Sequence, residues 1–268
     1  MTRMFIAPML TVASVATVAA AALVVLVLPA QSPVAAQAAQ ASRPAAKPAP
    51  PAPRLPNGRP DLSGVLNGGG GIAARNLKKG DEIVLLPEAK KLMDARQSKD
   101  DPEANCLPTG VPRMNPYPWR IVQQPTHAES THIFILFEGN IHSYRQIFMD
   151  GRPHPEDLVP TWYGHSTGKW EGDTLVVDTV GYNDRFWFDF DGHPHTTQLH
   201  TIERFTRTDL NTLSWEITII DPGAYAKPFT VQTRAEYKQG WELMEYICNE
   251  NNTNVSHIQG PAVSPGGR

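Results

Sequence analysis

Five of the nine histidines in this chain fall between His154 and His200. Imidazole changes charge near neutral pH, so histidines set close to carboxylates suit general acid–base chemistry. Two of them close the same pattern, Asp-Gly-x-Pro-His, at Asp150–His154 and again at Asp191–His195. In each copy Asp-Gly turns the chain, Pro stiffens it, and the histidine is held at a fixed place after the turn. His154 and His195 are therefore the first candidates for proton transfer, with Asp150 as a partner. His165 lies within an extended segment beside Trp162 and Tyr163, where it either enters the interior or faces water.

Alternation supplies the remaining candidates. Glu245 shares a strand face with Trp241, Leu243 and Ile247, so an inward orientation would bury its carboxyl and raise its pKa. Arg145 shares a face with Ile147 and Met149, and serves either as a structural partner for that glutamate or as a clamp for a carbonyl or anionic group. Trp162, Tyr182 and Asp221 are candidates for substrate contact. So is Trp187, in the aromatic run from Phe186 to Phe190, which acts either as a lid over the site or as a plug. The expected chemistry needs no cofactor.

A metal is the alternative. His193-Pro194-His195 with His200 offers three imidazoles to a divalent transition metal, in a pattern faintly similar to the His-x-His of cupins, although Pro194 weakens a regular strand there. Gly164-His165-Ser166-Thr167-Gly168 spells a hydrolase nucleophile elbow but sits among strands, without the strand–turn–helix context an elbow requires. No phosphate loop or dinucleotide fingerprint occurs.

The elements that must position these residues are mostly strands. Residues 1–38, with Arg3, a long uncharged stretch and Ala36-Gln37-Ala38, read as a signal peptide, or as an anchor if uncleaved. Residues 39–60 are rich in Ala and Pro and predict an extended, solvated linker. Residues 61–260 predict a single β domain, and 261–268 a flexible tail. A short helix is expected over residues 87–96, opened by Pro87 and Glu88. Period-two patterning then predicts strands at 120–124, 132–138, 142–150, 162–171, 173–182, 196–207, 213–221, 229–238 and 241–248. Short turns between several of these favour antiparallel neighbours. The expected fold is mainly β: an antiparallel up-and-down barrel, or strongly curved meander, of about eight or nine strands. With the tight turns at one end, the long connections and most of the candidate residues would rim an open mouth at the other.

Cys106 and Cys248, the two cysteines present, predict one disulfide in an exported chain. A net charge of −3, from 24 basic and 27 acidic residues, gives no reason to expect a nucleic-acid partner. A membrane partner is expected only if the leader stays uncleaved, and the expected location is periplasmic or secreted.

Three stretches carry a resemblance: Cys106–Arg113, Phe148–Pro155 and, above all, Gly-His-Ser-x-Gly-x-Trp-Glu-Gly-Asp-Thr-Leu-Val-Val from Gly164 to Val177. They resemble a largely uncharacterised family of exported bacterial proteins, and the architecture is similar to lipocalin-like (calycin) barrels. Leu66 departs from the family, which tends to have Trp there. The resemblance implies export but no reaction. The leading expectation is an exported barrel enzyme that binds a small organic molecule at its open end and acts by elimination, isomerisation or hydrolysis. A non-catalytic carrier of the same fold and a metal-dependent enzyme using His193, His195 and His200 are the alternatives.

Overall fold

The computed structural model describes residues 49–70, 73–111, 113, 117–123, 130–139 and 141–250. The predicted signal peptide and flexible tail lie outside these described residues. Nine strands close a barrel in sequence order: β1 Gly64–Asn67, β2 Trp119–Gln123, β3 His132–Phe137, β4 Tyr144–Phe148, β5 His165–Glu171, β6 Thr174–Val180, β7 His200–Arg207, β8 Thr212–Ile220 and β9 Phe229–Tyr237. The helix α1, Pro87–Ala95, begins at the expected proline and buries Ala89.

The barrel is mainly β, as expected, but it is not antiparallel throughout. β4 and β5 pair in parallel, Ile147 with Ser166 and Phe148 with Thr167. A parallel pair needs a long crossover, and residues 149–164 supply it. This alters the expected distribution of connections. β1, β3, β6 and β8 run one way, and the other strands run against them. The loops 68–118, 181–199 and 221–228 share one end, the turns 172–173 and 208–211 lie at the other, and the crossover travels along the outside between them.

Two further expectations are corrected. Residues 241–248 form no strand and are mostly exposed, because the edge of β9 is already taken by β1, with Leu66 opposite Tyr237. The described part of the predicted linker is also not a free tether. Leu210 N–H donates to the Pro50 carbonyl, and Arg54 forms an ion pair with Asp173.

Alternation decides what fills the barrel. Along β8, Leu213, Trp215, Ile217 and Ile219 point inward and are buried, while the intervening residues face outward. The Trp215 ring lies 5.4 Å from Phe205 and 5.9 Å from Trp119. The loop end is filled as well. Tyr182, Phe186, Trp187, Phe188, Tyr225 and Phe229 are all buried there, so among the described residues the aromatic run packs as a plug into the expected mouth.

Candidate functional site

On β6, Val177 and Thr179 face inward, so Asp178 projects from the outer wall. Thr167 on β5 and Ile202 on β7 are its cross-strand neighbours. His165 and His200 each lie two residues before those neighbours, on the same outer face and diagonal to Asp178, within reach of long side chains. The register of three adjacent strands thus surrounds one carboxylate with two imidazoles.

The crossover adds a third. His154 reaches the outer wall, where its Nε2 lies 3.1 Å from Asp178 Oδ1 and its Nδ1 2.7 Å from His165 Nδ1. His200 Nε2 lies 2.9 Å from the same Asp178 oxygen. Gly164 sets the entry to β5. It has φ +64°, and a Cβ there would lie 2.6 Å from the Val180 carbonyl oxygen.

One protonation pattern satisfies every contact with all three rings neutral. His154 and His200 donate Nε2–H to Asp178, His165 donates Nδ1–H to His154, and His165 Nε2 keeps its lone pair. Burial holds the His165 imidazole below its ordinary range, the neighbouring His154 ring and the Arg152 guanidinium act in the same direction, and Asp150 opposes them. The ring stacks on Phe148 at 5.0 Å, and Phe148 in turn carries Arg152 at 4.1 Å. The arrangement is that of a base whose acquired proton would be stabilised through a second imidazole by a carboxylate.

The expected site residues do not share one cavity; they separate into five places. His154 and His165 meet on the outer wall. Asp150 remains exposed in the crossover and pairs with Arg152, which holds its carboxyl down at about 2. Arg145 lies inside the barrel, donating to Ser166 Oγ at 3.0 Å, to Thr179 Oγ1 at 2.7 Å and to Glu203. Glu203 also accepts from Trp215 Nε1 at 3.1 Å. The partner foreseen for Arg145, Glu245, is exposed in the C-terminal segment instead. Tyr182 is buried, bonds to Thr201 Oγ1 at 2.8 Å, and has its phenol pushed up to about 12 by burial.

The loop end holds the remainder. His195 is buried against Phe186, 3.9 Å between ring centroids, and among the described residues its Nε2 has no hydrogen-bond partner. Asp221 ties the loops together by accepting from Thr196 N–H and Oγ–H and from Gly223 N–H. Trp187 lies between Arg96 and Arg113, and Trp162 packs half-buried against the core.

His193, His195 and His200 do not converge. Their ring nitrogens contact Asp189, the Thr196 carbonyl and Asp178 respectively. Among the described residues, Asp189, Asp191 and His193 bring possible metal donors within 4.8 Å of one another. The Asp189 carboxylate is already engaged there, by His193 Nδ1 at 2.9 Å and by Ala73 N–H at 3.0 Å.

Asp178, which holds the outer cluster together, had no role assigned from the sequence, and neither did Glu203. The available signal for Asp178 was its polarity within Val176-Val177-Asp178-Thr179-Val180, between two histidine-bearing strands. No family model, curated protein or solved structure matches this chain. The family resemblance therefore rests on the sequence motifs alone, and what stands of it is the closed barrel.

Proposed function

We propose that this chain is an exported enzyme that performs cofactor-free proton transfer on a small organic molecule, by elimination, isomerisation or hydrolysis, at the outer-wall cluster of Asp178, His154, His165 and His200. The observation that carries this reading is His154, which engages Asp178 and His165 through opposite ring nitrogens. A neutral imidazole has one donor and one acceptor nitrogen, and His154 engages both. A ring bridging a carboxylate to a second imidazole also fixes which atom of that second imidazole is basic. His165 Nε2 is the proposed base, His154 and Asp178 orient it, and His200 holds Asp178 from the other side. The Cys106–Cys248 disulfide agrees with an oxidising, exported location.

A panel of activated esters and of carbonyl compounds with acidic α-protons tests the reading. Wild-type protein should turn over at least one of them. His165→Gln should lower that rate by roughly 10²–10⁴-fold, the range for losing a general acid–base group. His195→Ala, remote from the cluster, should retain it. Turnover unaffected by His165→Gln contradicts the assignment, and ligand binding without turnover favours a carrier.

A metal-dependent reading has one favourable observation, the approach of possible nitrogen and oxygen donors on Asp189, Asp191 and His193 to within 4.8 Å of one another, a set that suits a transition metal. Zinc titration separates the two: a stoichiometric cation required for turnover supports the metal, and turnover persisting in chelator supports proton transfer.

A further inference from the structure

The turn end of the barrel carries a different cluster, where β1 begins and β9 ends. A cavity of about 310 Å³ opens there, with Asp61, Arg120, Arg207, Tyr237, Lys238 and Trp241 among its walls. It is at the small end of the range for organic ligands.

Arg207 is its buried cation, with 6% of its surface exposed. It points inward from β7, donates to the backbone carbonyls of Asp61 at 2.6 Å and Leu210 at 2.7 Å, and lies 3.7 Å over the Tyr237 ring. Among the described residues its Nε has no hydrogen-bond partner. The partners of this guanidinium are thus carbonyl dipoles and a π-face, with no carboxylate among the described residues. Carbonyls satisfy N–H groups but do not neutralise the charge, and a buried charge without a counter-ion is unfavourable.

The surroundings add positive charge. Arg120 is exposed and makes no ion pair among the described residues. Lys238 lies 5.5 Å over the Trp241 ring, with its ammonium paired to Glu236 outside the cavity wall. Asp61 is the single carboxylate in the wall, against three cationic side chains. Tyr237 supplies no negative charge, because burial pushes its phenol up and its O–H donates to the Leu62 carbonyl. Trp241, half exposed, offers an apolar face beside these cations.

We infer that this cavity binds a small aromatic carboxylate, its charge directed toward Arg207, Arg120 and Lys238 and its ring against Trp241. Arg207 presents a planar fork suited to carboxylate, and the backbone carbonyls leave part of that fork unused. Lys238 and Arg120 at the rim draw the anion in. The inference concerns a different part of the barrel from the outer-wall cluster and stands independently of the proton-transfer reading.

Titrating the full chain with benzoate, and in parallel with neutral benzamide, tests it by amide and indole NMR. Benzoate should shift the Trp241 indole N–H and the Gly64 and Gly240 amides saturably, and benzamide should bind at least ten-fold more weakly. Arg120→Gln and Lys238→Gln, both at solvent-accessible positions, should each weaken benzoate by about three- to ten-fold. The benzoate–benzamide comparison uses unaltered protein, so it does not depend on whether an Arg207 variant folds. Equal affinity for the two compounds overturns the charge assignment. Saturation by inorganic phosphate with no response to benzoate overturns the ligand class, and absence of any saturable shift at Trp241 overturns the site.

Discussion

The Nδ1 atoms of His154 and His165 lie 2.7 Å apart, so a proton on one must face a lone pair on the other. Because His154 Nε2 faces Asp178, the direction of that hydrogen bond is set from the carboxylate side. Asp178 thereby influences a ring it does not touch.

If the cluster is the proposed proton-transfer site, this coupling gives its rate a pH dependence of defined sign. The base form of His165 is the neutral one, and burial together with His154 and Arg152 holds its pKa below 6.5. Turnover should be constant above neutrality and fall as pH drops through that depressed value. Arg152→Met removes one of the depressing influences and should move the acidic limb to higher pH. Asp150→Asn removes the opposing one and should move it lower. Rate profiles of the two variants check this by the direction of each displacement.

The interior ion pair of Arg145 and Glu203 should behave differently from a surface pair. The two side chains are 2% and 0% exposed, so removing one leaves a buried charge. Arg145→Met should cost about 3–5 kcal/mol in denaturant unfolding. Arg145→Met combined with Glu203→Leu should recover a large part of that loss. Additive losses in the double variant would show that the pair is not acting as a unit.

His195 should make the fold sensitive to acid. Burial lowers its pKa to about 4 from the ordinary 6.5. Between those values the unfolded chain binds the proton and the folded one does not, so stability falls as pH falls through that window. The difference corresponds to about 3 kcal/mol once both limits are passed. His195→Gln should flatten the decline of unfolding free energy between pH 6.5 and pH 4 relative to wild type, and an unchanged slope would remove His195 as its source.

The disulfide should stabilise by restricting the unfolded chain. Cys106 and Cys248 are 142 residues apart in sequence, and their Cα atoms are 5.6 Å apart in the fold. Closing a loop of this size is worth about 4–5 kcal/mol in the chain-entropy model. Cys106→Ser with Cys248→Ser should lower unfolding stability by about that amount, while a loss near zero would mean that the bridge constrains little.

Much of the barrel was legible in period-two alternation, because a wall with one wet face writes its inside and outside into alternate residues. Leu213, Trp215, Ile217 and Ile219 are the clearest case. The closing strand was not legible, since Gly64–Asn67 is too short to show a pattern, whereas residues 241–248 show alternation without a free edge to pair with. The parallel β4–β5 pair escaped for another reason. Nothing local distinguishes a crossover from a long hairpin loop, and that single reversal takes residues 149–164 out of the set of connections that share one end. His154 and His165 were identified singly, but their meeting depended on the path of residues 149–164. Asp178 was obscured by the strand containing it, where one polar residue among valines reads as ordinary outer-wall alternation. Arg145 was read on one strand face with Ile147 and Met149, where it is buried beside Ile147, and its glutamate was sought on a segment that is exposed.

Imidazole nitrogen spectroscopy of the wild-type protein and Asp178→Asn tests the proton relay most directly. Above neutral pH, wild type should show His154 and His200 carrying their protons on Nε2, and His165 carrying its proton on Nδ1 while protonating below 6.5. Asp178→Asn should redistribute the proton of His154 and, through it, that of His165. A His165 proton resting on Nε2, or a His165 ring indifferent to Asp178→Asn, would contradict the account.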